Sequence, residues 1–268
     1  MLLTTRAVEK PWGADRLPPP FDTPAGKRIG EIWFEPPRDL PQLLVKYIFT
    51  SERLSVQVHP SDAQTEAAGL GKQGKEECWL VIDAEPDAVL GIGFERMVDA
   101  QTMRAAALDG SIEDLLVWHK VKAGDFFSIP ANTVHAIGAG CSIIEIQQNS
   151  DITYRLYDYG RPRELHLDQA IGVAQGAPHD PALRRRVPEH GNAQLVEGPH
   201  FRVDWIDGLP DAQTAGRYRG ALLVIPRVGE AQVAGECIAP GSCALAPSID
   251  DIVFAPGGTC LITQPTAG

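Results

Sequence analysis

Short apolar runs recur along the whole chain, each cut off by Gly, Pro, Asn or Asp before it grows long enough for a sizeable helix. Leu43 to Phe49, Arg53 to Val58, Glu77 to Ile82, Ala88 to Phe94, Val117 to Val121, Asp125 to Ile129, Val134 to Ile137 and Ser142 to Gln147 all read as strands. Helical spacing is confined to three places. Ser61 to Gly69 opens on a capping Ser-Asp pair, Asp99 to Leu108 with Ser111 to Leu116 forms a small insertion, and Glu164 to Ala174 closes the first part. Residues 10 to 40 read as loop with one short strand. Beyond Gln194 strands return at Arg202 to Ile206, Gly220 to Ile225, Gln232 to Ala234, Ser242 to Leu245, Asp251 to Phe254 and Cys260 to Thr263. Short strands with turn signals every ten or so residues favour a sandwich or barrel over a doubly wound sheet. The pattern therefore predicts a mainly β protein: residues 1–174 with the insertion at about 99–116, a polar Arg-rich linker at 175–193, and a second β half at 194–268.

Composition agrees with this reading. The 268 residues include 26 glycines and 22 prolines but only 7% aromatics, as many turns require. A formal charge of -11 argues against a nucleic-acid surface, although a local cationic pocket can act against a negative overall field. The five cysteines form no CxxC pair, Met1 to Arg6 lacks the apolar core of a signal peptide, and no run approaches the ~20 apolar residues of a membrane span. A cytoplasmic protein with no membrane partner is expected.

The chemistry concentrates in three places. Gln57 and His59 lie two apart in a strand, so both point to one face. Glu77 opens a later strand, and His135 follows Pro130-Ala131-Asn132. One amide oxygen, two imidazoles and one carboxylate make a donor set that a divalent ion such as zinc accepts, with a position left open for substrate. His119, His166, His179, His190 and His200 lack such company and read as surface or linker residues. Glu145 interrupts the apolar run Ile143-Ile144-Glu145-Ile146, where a carboxylate is costly unless paired or beside a metal.

Longer motifs carry a family resemblance. Gly124 to His135 resembles the second cupin signature, with Asn132 standing where the family has glycine. Lys10-Pro11-Trp12-Gly13, Gly30-Glu31-Ile32-Trp33, Leu54 to Pro60, Gly74 to Trp79 and Gln147 to Asp158 resemble, in order, the short bacterial form of the type I, zinc-dependent mannose-6-phosphate isomerases. The likeness runs from about residue 7 to about residue 172. It implies a double-stranded β-helix, or cupin jelly roll, with a few short helices and a second, metal-free cupin-like half. It also implies one zinc ion per chain on Gln57, His59, Glu77 and His135, and a catalytic role for Arg155. Lys75 and Ser55 are then placed near the substrate and its phosphate, and Glu145 near acid-base work. A sugar phosphate would be the partner, and the protein a monomer or homodimer.

Interconverting an aldose and a ketose phosphate needs a stabilised oxyanion, a proton shuttle and a grip on a phosphate dianion. Glu145 is the first choice for the shuttle, with His59 or a metal-bound hydroxide as alternatives. Arg155 could grip the phosphate or stabilise the enediol, and its residue type leaves both open. A sugar-phosphate-binding cupin without turnover, or another metal-dependent cupin enzyme, are the competing functions.

Overall fold

The computed structural model describes residues 1–266. The first half carries strands β1 (Thr5–Ala14), β2 (Ile29–Phe34), β3 (Leu43–Phe49) and β4 (Val56–Val58), followed by helix α1 (Asp62–Ala67). Next come β5 (Glu77–Ala84), β6 (Val89–Phe94), helices α2 (Ala100–Asp109) and α3 (Ile112–Leu115), and β7 (Leu116–Lys120). Strands β8 (Asp125–Ile129), β9 (His135–Ile137), β10 (Cys141–Gln148) and β11 (Tyr154–Tyr157) follow, then helix α4 (Leu167–Val173) and β12 (Arg184–Arg186). They form a seven-stranded sheet ordered β1-β2-β3-β10-β5-β8-β12 and a five-stranded sheet ordered β11-β4-β9-β6-β7, every pairing antiparallel.

The second half repeats the architecture on a smaller scale. Strands β13 (Ala193–Glu197), β14 (Phe201–Asp207), β15 (Leu222–Val228), β16 (Ala231–Val233), β17 (Glu236–Ile238), β18 (Ala244–Ala246), β19 (Ile252–Phe254) and β20 (Thr259–Pro265) make sheets of five and three strands. A short helix, α5 (Ala212–Arg217), caps this half, with the Asp211 side chain accepting from the Thr214 amide.

The two faces of the large sheet have different tasks. Period-two alternation turns Phe34, Tyr47, Ile144 and Leu80 outward, where they pack in one core with Phe201, Val203 and Leu261 of the second half. Arg227 also donates to the Tyr47 hydroxyl across this junction (3.2 Å). The opposite face, with Glu31, Lys46 and Glu145, points into the first cup. The second cup is filled by Ile206, Leu222, Val224 and Ile262.

Two stretches differ from the sequence-based expectation. Residues 175–193 are bound to the first half: Arg184–Arg186 pair with Phe127–Asp125 as the edge of the large sheet, and buried His179 bonds the Ser128 carbonyl (2.8 Å). Three consecutive arginines look like loop because an edge strand leaves one side to solvent. Residues 5–14 form a ten-residue strand despite Pro11, since β1 is also an edge and its register breaks between Glu9 and Ala14.

Candidate metal centre and cavity

The ladder β11-β4-β9 sets Gln57 opposite His135 on one side and Arg155 on the other. Glu77 begins β5 in the facing sheet. The two sheets thus bring four donors, distant in sequence, to one point. Gln57 Nε2 lies 3.2 Å from His135 Nε2, Glu77 Oε1 lies 3.4 Å from His135 Nε2, and Glu77 Oε2 lies 3.6 Å from His59 Nε2. The nearest donor atoms of His59, Glu77 and His135 all lie within 4.8 Å of one another. Tetrahedral zinc with bonds of about 2.0–2.1 Å puts its donors roughly 3.3 Å apart. The three shortest contacts, 3.2, 3.4 and 3.6 Å, lie close to that spacing.

Each imidazole is oriented by a backbone carbonyl. His59 Nδ1 is 2.8 Å from the Ile152 oxygen and His135 Nδ1 is 2.9 Å from the Thr133 oxygen. A carbonyl only accepts, so the proton sits on Nδ1 and the Nε2 lone pair faces Glu77, the outer bond usual for metal-binding histidines. Burial holds both imidazoles below the ordinary histidine value; Lys75 pushes His59 the same way, while Glu77 opposes the shift at His135. Glu77 is completely enclosed, and among the described residues its Oε1 has no hydrogen-bond partner. A buried carboxylate between two lone-pair donors calls for positive charge beside it. Lys75 supplies one such charge, with its Nζ 2.7 Å from Glu77 Oε2 and 3.2 Å from His59 Nε2. Although burial penalises both charges, the pair keeps Glu77 below and Lys75 above its ordinary value. Gln57 completes the set once its amide is turned to present oxygen, and the Ser55 hydroxyl 3.1 Å from Oε1 can serve either orientation.

Local backbone geometry explains two sequence features. Asn132 adopts φ 73, the left-handed region open to glycine and tolerated by asparagine, so it satisfies the turn that the cupin signature builds with glycine. Its amide donates to the His59 carbonyl (2.8 Å) and its side chain to Gln64 (2.6 Å), tying the loop before His135 to the strand bearing His59. Gly74 lies so close to α1 that an added Cβ would fall 2.4 Å from the Pro60 oxygen. That contact, with the Lys75 amide donating to the same oxygen (2.9 Å), delivers Lys75 to the centre.

A cavity of about 310 Å³ adjoins these ligands, lined on its polar side by Ser55, Gln57, Lys75, Glu145 and Arg155. It therefore unites five of the residues expected from the sequence, whereas His59, Glu77 and His135 are not among its lining residues. It also contains residues that sequence reasoning missed or set aside: Lys10, Glu31, Lys46, Asp151, Arg163 and His166. Five side chains of Lys or Arg face three carboxylates, a local positive excess inside an acidic protein. Lys10 pairs with Glu31 (3.1 Å), Lys46 with Glu145 (3.1 Å), and Arg163 with Asp158 (2.6 Å). Among the described residues Arg155 has no such partner, and its Nε is buried without a bond. Burial, followed by the neighbouring Arg163 charge, lowers its basicity. His166, expected at the surface, instead receives the Arg155 amide at Nδ1 (3.3 Å) and returns its own amide to the Arg155 carbonyl (2.8 Å).

No family model matches the chain. A mannose-6-phosphate isomerase of Streptococcus mutans is 44% identical over 201 residues, covering 71% of this chain and 62% of that protein. Mannose-6-phosphate isomerase ManA of Bacillus subtilis is 37% identical over 212 residues, covering 74% and 65%. The matched stretch thus spans a little under two thirds of these relatives. Among solved structures, a Bacillus subtilis mannose 6-phosphate isomerase superposes with TM-score 0.76 at 24% identity, covering 98% of both chains. A zinc-bound mannose 6-phosphate isomerase does so with TM-score 0.73 at 14% identity, covering 99% of both. The chain shares the fold of these structures.

Proposed function

From its homology to mannose-6-phosphate isomerases at 37–44% identity, we propose that this chain interconverts mannose 6-phosphate and fructose 6-phosphate, with one zinc ion held by Gln57, His59, Glu77 and His135. The single observation that carries the reading is the buried cluster of His59, Glu77 and His135, with both histidine Nε2 atoms aimed at the Glu77 carboxylate, next to a cation-rich cavity. Zinc bound there would supply Lewis-acid stabilisation of negative charge on a substrate oxygen.

The chain's own residues supply the rest. Glu145 is the proton shuttle between C1 and C2 through a cis-enediol. The Trp79 indole N–H (3.1 Å) orients its Oε2, and Lys46 lies 3.1 Å from its Oε1. His59 is unsuited to that task, since its Nδ1 is bonded to backbone and its Nε2 faces Glu77. Arg155, which has no ion-pair partner among the described residues, takes the phosphate, and Ser55 with Lys75 lines the path between the phosphate and the reacting carbons.

A binding cupin without turnover drew its support from the poorly matched C-terminal half. That half packs behind the large sheet, and none of its described residues lines this cavity, so its divergence does not weigh against turnover. The test is a coupled isomerase assay on zinc-loaded protein. No turnover of either sugar phosphate at stoichiometric zinc would exclude the proposal.

A further inference from the structure

Glu31 has no part in the mechanism above, yet it lines the same cavity and is only 7% exposed. Its two oxygens have different fates. Oε2 accepts the Trp33 indole N–H (2.8 Å) and pairs with Lys10 Nζ (3.1 Å). Among the described residues Oε1 takes no hydrogen bond, and it is not fully buried. It therefore reaches open space, and the space that Glu31 borders is the cavity. The carboxylate is held by two donors on one side and offers a free acceptor on the other.

We propose that Glu31 determines specificity by accepting a hydrogen bond from a sugar hydroxyl. Resting on the isomerase reading, the inference extends to which hydroxyl. C1 and C2 belong to the reacting end beside Glu145, and the phosphate on C6 belongs to Arg155. The hydroxyls on C3 and C4 lie between those anchors and carry the donors that a carboxylate reads. Lys10 and Trp33 act as positioning residues, because each fixes Oε2 and so aims Oε1.

The experiment crosses the carboxylate with the hydroxyl. Wild type, Glu31→Gln and Glu31→Ala are assayed on mannose 6-phosphate and on its 3-deoxy and 4-deoxy analogues. In wild type, one analogue is expected to lose about tenfold to a hundredfold in kcat/KM, the worth of a charged hydrogen bond. In Glu31→Ala that penalty vanishes, while in Glu31→Gln it shrinks, with the conservative variant keeping its fold and the Trp33 bond. Both analogues retaining the full wild-type penalty in Glu31→Gln and Glu31→Ala, or neither carrying a penalty in wild type, would overturn the inference and leave the isomerase assignment standing. Failure of wild type on mannose 6-phosphate itself would overturn both.

Discussion

Replacing Arg155 by alanine tests the placement of the phosphate. The guanidinium forms no internal ion pair among the described residues, and its Nε is buried without a partner. Nothing in the resting protein is lost with it, so the stability change should stay within about 1 kcal/mol. Its charged bonds to a phosphate are worth about 1.5–3 kcal/mol each, and a bidentate grip makes two. The loss then amounts to roughly 3–6 kcal/mol, or about 10²- to 10⁴-fold in kcat/KM. A coupled assay across substrate concentrations, with zinc measured on the same sample, reads the effect. The account expects most of the loss in KM, retention of zinc, and partial rescue by Arg155→Lys, which restores a point charge without the fork. Inorganic phosphate should compete with substrate in wild type and much less in Arg155→Ala. A fall in kcat with KM unchanged would place Arg155 on the enediol instead. Loss of zinc along with activity would make it a support of the fold.

Glu145→Gln keeps an acceptor for Lys46 and Trp79 but no base, so kcat should drop about 10²- to 10⁴-fold with zinc content unchanged, as single-turnover kinetics and metal analysis would show; a variant with near-normal kcat would remove Glu145 from proton transfer. The metal-free protein should lose stability as pH falls through 6.5. Burial keeps His59 and His135 neutral in the fold, while the unfolded chain takes up their protons at the ordinary value. The loss grows as pH falls below that value, and Glu77, held below its ordinary 4.5, adds to it at still lower pH. Denaturant unfolding at pH 7, 6 and 5 checks this, and a flat profile would contradict the buried neutral histidines.

Much of the site could be read from residue types and spacing, and what escaped did so for physical reasons. Gln57 and His59 share a face by strand periodicity alone, and the structure keeps that face turned to Glu77. Glu145 stood out because a carboxylate inside an apolar run demands a partner. The same signal marks Lys46 in Leu-Leu-Val-Lys-Tyr-Ile-Phe and Glu31 in Ile-Gly-Glu-Ile-Trp-Phe. Applying it evenly would have found both, since Lys46 and Glu145 are direct cross-strand partners. His166 and Arg163 leave no such trace. They reach the cavity because the chain after β11 folds back to bond Arg155, a contact fixed only in three dimensions. The polar strand at Arg184–Arg186 was hidden for the opposite reason, since an edge position needs no apolar alternation.

Elemental analysis of protein equilibrated with zinc and then freed of loose metal bears most directly on the four-donor centre. The account predicts one zinc per chain in wild type and in Arg155→Ala, and close to none in His135→Ala or Glu77→Ala. A wild-type protein that holds no zinc, or a His135→Ala variant that holds a full equivalent, would contradict it.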